Sequence, residues 1–247
     1  PTIIHGTPQT IWSRHTDQPG NALAEAYIKQ KLESYGLPVT IQKYSAAGTN
    51  VLATQVGAVA SNRKFVICAH YDAWPPGSVA PGAEDDASGT AGVLETARIL
   101  SKYSFPLTIV YALWDEEEIE IYPCGSTYYA TQALATGDSI LGVINLDAIA
   151  YDSNGDGRCL VLERPNARSV PIGNNMAELN NQYGINLIVA AESPLGGSDQ
   201  APFWYRGFDA IQLVHDGFAD WDPFNHTTND RVWAFNNQYY LKMVKLA

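Results

Sequence analysis

Three uninterrupted apolar runs, 64–70 (KFVICAH), 107–114 (LTIVYALW) and 140–146 (ILGVINL), constrain this chain more than any other feature. Each is far shorter than the roughly 20 residues of a membrane-spanning helix. None alternates apolar with polar residues as a half-solvated strand does. Strands of this kind are stable where both faces of their sheet are covered, the condition of a parallel sheet between helices. Helical stripes separate them. Asp17-Gln18-Pro19-Gly20 is a helix-start signal, followed by Ala22, Ala24, Tyr27, Ile28 and Leu32 on one face and a stop at Gly36. Residues 87–100 repeat the pattern through Val93, Leu94, Ala97 and Leu100, and further helices are predicted at 127–133, 170–183 and 200–205. Residues 39–44, 51–56, 187–191 and 210–214 read as additional strands. The alternation predicts an α/β fold, a three-layer sandwich with a central mixed, largely parallel sheet flanked by helices. With no repeat or linker, residues 1–247 are expected to form one domain.

Composition removes some function classes. The formal charge is −11, so the surface lacks the basic footprint that neutralises phosphates, and no nucleic-acid partner is expected. No apolar run is long enough for a membrane span. Three cysteines form no CxxC zinc knuckle and are too few for a disulfide scaffold. The chain opens on Pro1-Thr2-Ile3 without Met, and lysine is scarce beside tyrosine, asparagine and threonine; both suggest a trimmed, exported product, secreted or periplasmic.

In open α/β sheets, sites form beyond the carboxyl ends of the strands. Here each apolar run ends in a polar group suited to a metal: His70, the acids Asp115-Glu116-Glu117-Glu118, and Asp147. Singly, each has an ordinary reading as a loop residue, a solvated patch or a helix cap. Together they are harder to explain that way, because crowded carboxylates at a buried strand end repel unless a cation compensates. An acidic loop, Pro81-Gly82-Ala83-Glu84-Asp85-Asp86, runs straight into a helix start, and Asn225-His226-Thr227-Thr228-Asn229-Asp230 supplies a second histidine. Mixed His and carboxylate donors suit zinc, and carboxylates can bridge two ions.

His-Tyr-Asp, PGAEDDASG, WDEEE, NLDAIAYD, SDQAPFW and NHTTND, in this order from about residue 20 to about residue 232, resemble the co-catalytic di-zinc aminopeptidases. Bacterial leucyl aminopeptidases, glutamate carboxypeptidase and the glutaminyl cyclases are relatives of that family. The resemblance implies a zinc exopeptidase-like fold, two Zn2+ and peptide substrates with a free N-terminus. It implies that His70 and Asp147 hold one zinc, Glu118 and His226 the other, and Asp85 bridges both. It also makes Asp72 the orienter of His70 and Glu117 the general base. Such a pair, roughly 3.5–4 Å apart, polarises the scissile carbonyl and acidifies a bridging water. Glu117, Asp147 and one zinc are expected to hold the substrate's α-amine. Asp199 matches a family position near the site, without an assigned role. The stretch from Glu118 to Gly125-Ser126 is about two residues longer than the family's turn, which leaves Glu116/Glu117 as an alternative register to the preferred Glu117/Glu118. Glu84 stands where the family often has Asp and is read as a non-ligand.

Asp152-Ser153-Asn154-Gly155-Asp156-Gly157, followed by Glu163, fits the calcium-loop pattern D-x-N-x-D-G-x5-E, so Asp152, Asn154, Asp156 and Glu163 are candidate Ca2+ ligands of a stabilising site; the alternative is a plain Asx/Gly turn. Cys124 and Cys159 follow two neighbouring loops and are candidates for a disulfide, while Cys68 reads as a packed thiol. His5 and His15 are expected at the surface. His215 has two readings, substrate-pocket lining or a structural role. Trp114, Tyr122, Trp204 and Trp221 are weighed as walls of a side-chain pocket, with core packing the commoner fate of aromatics. The competing activities are glutaminyl-peptide cyclisation on the same scaffold, which the intact PGAEDDASG disfavours, a carboxypeptidase, which usually carries extra domains, and an inactive peptide-binding module, disfavoured because every ligand position is filled.

Overall fold

The computed structural model describes residues 2–119, 124–164, 169–193 and 197–247. A short hairpin, β1 (Thr2–Ile4) and β2 (Thr7–Gln9), leads into α1 (Pro19–Ser34), whose proline at the first turn fits a position that needs no N–H donor. An eight-stranded sheet follows, built from β3 (Val39–Lys43), β4 (Thr49–Gln55), β5 (Ala60–His70), β6 (Leu107–Trp114), β7 (Ser139–Leu146), β8 (Arg158–Glu163), β9 (Ile188–Glu192) and β10 (Ala210–His215). Its order is β3-β4-β6-β5-β7-β10-β8-β9. The centre, β6-β5-β7-β10, is parallel, while β3, β4 and β8 introduce antiparallel pairings. The helices are α2 (Gly89–Leu100), α3 (Gly125–Thr136), α4 (Val170–Gln182), α5 (Ala201–Tyr205) and α6 (Asn237–Leu246).

Strand alternation explains the continuous apolar runs. Ile67, Ala69, Ile109, Tyr111 and Leu113 pack on one face with Ala24 and Ile28 of α1, Val93 and Ala97 of α2, Met176 of α4 and Met243 of α6. Val66, Cys68, Val110, Ala112 and Trp114 pack on the other, against Tyr129 and Ala133 of α3 and Phe203 and Trp204 of α5. Both faces are therefore buried, and a polar residue at any of these positions would lose its hydration on folding. Trp114 and Trp204 belong to this core rather than to a substrate pocket. Tyr122 lies outside the described residues. Among the described residues no helix is long and apolar enough to cross a membrane.

Three sequence expectations are corrected. First, all three cysteines are free. Cys159 sits inside β8 opposite His215 and packs in the helix-covered core, whereas Cys124 precedes α3 and contacts Ser126 and Thr127, so no disulfide joins them. A thiol count on denatured protein is expected to give three, and native protein is expected to react first at the half-buried Cys124; two unreactive sulfurs after denaturation without reductant would contradict this. Second, the calcium-loop reading fails at Glu163. Arg158–Glu163 is a strand, which carries Glu163 about 17 Å from Arg158 at roughly 3.3 Å per residue. The loop oxygens are used locally: Asn154 Oδ1 accepts from Asp156 N (2.9 Å), Asp156 Oδ1 from Arg158 N (2.8 Å) and Asp152 Oδ2 from Asn236 Nδ2 (2.9 Å). The first two are Asx-type turns that satisfy the local backbone, and the third ties the loop to the start of α6. Third, His15 is buried, its Nδ1 2.6 Å from Asp17 and its ring 5.7 Å from that of Trp74.

Candidate metal centre

The parallel register sets the candidate ligands level. His70 ends β5 opposite Trp114 of β6, and Cys68 pairs with Asn145 of β7, so Asp147, two residues on, projects from the same edge as His70. The acidic loop arrives there because it is clamped from several sides. Arg14 Nε donates to Tyr71 O (2.7 Å), Nη2 to Gly82 O (2.8 Å) and Nη1 to Pro81 O. Gly82 has φ of +48°, and a side chain there would collide with the Asp85 carbonyl oxygen. Asp230 accepts from Glu84 N (2.7 Å) and Asp85 N (3.0 Å). Glu84 turns inward, accepting from Ala150 N and Tyr151 N, both at 2.9 Å, and approaches His215 Nδ1 at 3.2 Å. It ties the acidic loop to the segment after Asp147 and is not a ligand to the centre. Asp86, joined to Asp85 by a cis peptide, accepts from Gly89 N (2.8 Å) and Ala148 N (3.2 Å).

At the centre, Asp85 presents one oxygen to each histidine: Oδ1 is 3.2 Å from His70 Nε2, and Oδ2 is 3.1 Å from His226 Nε2. Asp147 Oδ1 lies 3.8 Å from His70 Nε2, and Glu118 Oε2 lies 3.0 Å from His226 Nε2. Ligand-capable atoms of His70, Asp85 and Glu118 fall within 4.8 Å of one another, as do those of His70, Asp86 and Asp147. Neighbouring groups hold these candidate ligands. Gln212 Nε2 donates to Asp147 Oδ2 (3.0 Å), Asn225 Nδ2 to Asp85 Oδ2 (2.7 Å), and Trp74 N to Glu118 Oε1 (3.2 Å). Asp72 Oδ1 lies 3.4 Å from His70 Nδ1, and the same carboxylate accepts from Glu117 N (3.2 Å) and Glu118 N (3.0 Å). One buried acid therefore lies against the first histidine and holds the backbone of the glutamate pair.

The four consecutive acids take three different places. Asp115 is a buried hub accepting from Thr16, Asn21 and Thr49, and burial pushes it up to about 7. Glu116 has φ of +62° and turns away to Ser45 Oγ (3.0 Å). Glu117 and Glu118 line the cleft with Asp85, Asp147 and His226. This geometry favours the Glu117/Glu118 register over Glu116/Glu117.

The electrostatics are those of a cation site. Burial raises Asp85, but hydrogen bonds with His226 and His70 win and hold it low. Hydrogen bonds with Asp85 and Glu118 pull His226 up to about 10. Burial pushes Glu117 well above the usual carboxylate range, and the His70 charge opposes it. Burial likewise lifts Asp199 to about 7. So many acceptor-only groups at contact distance require positive charge, as protons on the imidazoles or as a metal. Two imidazole nitrogens with shared and terminal carboxylates form a donor set that fits zinc.

The cleft above these ligands has a volume of about 770 Å³ and extends along Cys124, Thr127, Asp199 and Pro202. Asp199 is buried there, and neither of its carboxylate oxygens is hydrogen-bonded among the described residues. The clamps Arg14 and Asp230 and the orienters Gln212 and Asn225 were not singled out from sequence. Asn225 and Asp230 are the first and last residues of the quoted NHTTND motif, and that membership was the available signal.

A parallel-centred α/β sheet with histidines and carboxylates gathered at its strand ends defines a metallohydrolase scaffold. Residues 50–247 match peptidase family M28. A "Probable zinc metalloprotease" of Pyrenophora teres f. teres (strain 0-1) is 36% identical over 85% of this chain and 50% of its own length. The Legionella pneumophila LapA aminopeptidase superposes with a TM-score of 0.83 at 23% identity, covering 96% of this chain and 66% of that one. The Fimbriiglobus ruber glutaminyl cyclase does so with a TM-score of 0.77 at 18% identity, over 96% and 89%. The chain belongs to peptidase family M28. It spans about half the length of that fungal relative and about two thirds of LapA.

Proposed function

We infer that this chain is a zinc-dependent aminopeptidase with two metal positions. The carrying observation is the Asp85 carboxylate, which offers one oxygen towards His70 and the other towards His226. His70 and Asp147 would hold one zinc, His226 and Glu118 the other, with Asp85 shared. Zinc so held polarises a carbonyl and makes water a better nucleophile near neutral pH. Glu117 takes the proton of the attacking water and delivers it to the leaving amine. Glu117 and Asp147 also supply negative charge for the substrate's α-ammonium, which an acetylated N-terminus lacks. The names of the fungal zinc metalloprotease and of the LapA aminopeptidase agree with this reading.

A second cavity, about 380 Å³, is lined by Leu160, Leu162, Val214, Phe218 and Trp221. Val214 pairs with Leu160 and Gln212 with Leu162, which places them on one sheet face, the face from which Gln212 reaches Asp147. An apolar pocket beside a terminal ligand suits the first side chain of a peptide.

The test is hydrolysis of a leucyl anilide beside its N-acetyl form, before and after chelation and zinc return. Cleavage of the free-amine substrate alone, lost on chelation and restored by zinc, is expected. Cleavage of both forms would remove the role of the α-amine. No cleavage by zinc-loaded protein would overturn the reading and make glutaminyl-peptide cyclisation the next assay.

A further inference from the structure

Two largely apolar strands each carry one buried amide, Asn145 in β7 and Gln212 in β10, and the two are paired across the parallel ladder. Asn145 is fully buried and Gln212 nearly so, as is Gln200 just before α5. An amide taken out of water is costly unless its donors and its acceptor are met. Here the amides meet one another, all pointing the same way. Cys68 Sγ donates to Asn145 Oδ1 (3.5 Å), Asn145 Nδ2 to Gln200 Oε1 (3.4 Å), Gln200 Nε2 to Gln212 Oε1 (2.9 Å) and Gln212 Nε2 to Asp147 Oδ2 (3.0 Å). Asn145 Nδ2 also reaches Ser198 Oγ (3.2 Å). Turning either glutamine amide end for end would set oxygen against oxygen, so each link fixes the next. The chain ends on a candidate ligand. Asp147 receives it on Oδ2, while its Oδ1 is the oxygen towards His70 Nε2.

Resting on the zinc reading of this site, we propose that Gln200 is a positioning residue for the metal position formed by His70 and Asp147, acting through Gln212. Gln200 bonds to Asn145 and Gln212 and to no candidate ligand. Its donor holds the carbonyl end of the Gln212 amide, which keeps the Gln212 N–H on Asp147. Without that donor the Gln212 amide is free to turn, and Asp147 loses the bond that ties down Oδ2. A carboxylate tied at one oxygen offers the other to a metal in a single orientation. Amides linked in one direction also polarise one another, which strengthens the bond at the end of the chain.

The experiment measures zinc affinity by chelator competition in the native protein, in Gln200→Met, in Gln212→Met and in the double variant. Methionine keeps the length of the side chain and removes its hydrogen bonds. Each single variant is expected to hold zinc about 10- to 100-fold more weakly, the usual cost of losing a group that orients a ligand. The double variant is expected to be no weaker than Gln212→Met, because residues that act through one another do not add. A role in packing alone would leave the Gln200 loss intact when Gln212 is already replaced, so losses that multiply in the double variant would overturn the proposal. Native zinc affinity in Gln200→Met would overturn it as well. If Gln200→Met does not fold, Gln200→Asn takes its place in both proteins; it keeps an amide but draws it back from Gln212 by one methylene, and native affinity there counts equally against the proposal. A native protein that binds zinc yet cleaves no leucyl anilide refutes the aminopeptidase reading, while the affinities still decide the role of Gln200. A native protein that binds no zinc refutes both.

Discussion

Glu117→Gln is expected to lower kcat for a free-amine anilide by about 10²- to 10⁴-fold, the usual contribution of a positioned general base. The substitution keeps the shape and removes only the ability to take a proton. The Glu117 backbone N–H would still donate to Asp72, and the ligand atoms on His70, Asp85, Glu118, Asp147 and His226 would be untouched. Zinc content per chain and thermal stability in zinc should therefore match the native protein while turnover collapses. The same variant should flatten the acid limb of the kcat/KM profile, because a base must be unprotonated to act and its activity is lost as pH falls through its pKa. Near-native turnover in a zinc-loaded Glu117→Gln protein would place the base elsewhere. Glu116 is a poor substitute because its carboxylate is bound to Ser45.

Asp85→Asn should act one step earlier, on metal retention. An amide offers one oxygen and no charge, so it cannot face both histidines as the native carboxylate does. Losing a partner that merely orients a ligand typically costs 10–100-fold in metal affinity, and a shared ligand should cost at least about 100-fold. Zinc per chain after buffer exchange, and competition against a chelator, report this without any activity assay. The rise in melting temperature on adding zinc should shrink in parallel, since a ligand that binds only the folded state stabilises by mass action. Full zinc content in Asp85→Asn would mean that the ions, if two, do not share this residue.

The legibility of the fold follows from these particulars. The strands at 64–70, 107–114 and 140–146 were readable because burial on both faces imposes apolar residues at most positions. β8 was left open between a cation loop and a turn entering a strand, because 158–163 follows a run of turn-forming Asp, Asn and Gly whose local spacing fits both. β1, β2 and α6 were missed. The two strands have three residues each, and α6 buries only Tyr239, Met243 and Leu246, too sparse a stripe to stand out.

By itself, the sequence determined the layered architecture and the set of candidate ligands, because periodicity and donor chemistry are written locally along the chain. Tertiary structure decided what each candidate does. Glu116 and Glu117 are adjacent in sequence, yet one turns to Ser45 and the other lines the cleft, because the backbone at Glu116 takes a left-handed conformation. The acidic loop is clamped by Arg14 from before the first long helix and by Asp230 from 146 residues further along. Cys124 and Cys159 each follow a loop near the site, but the sheet buries one in its core and leaves the other at the cleft. Contacts of that range carry no local pattern. They exist only when the sheet closes and sets its strand ends side by side.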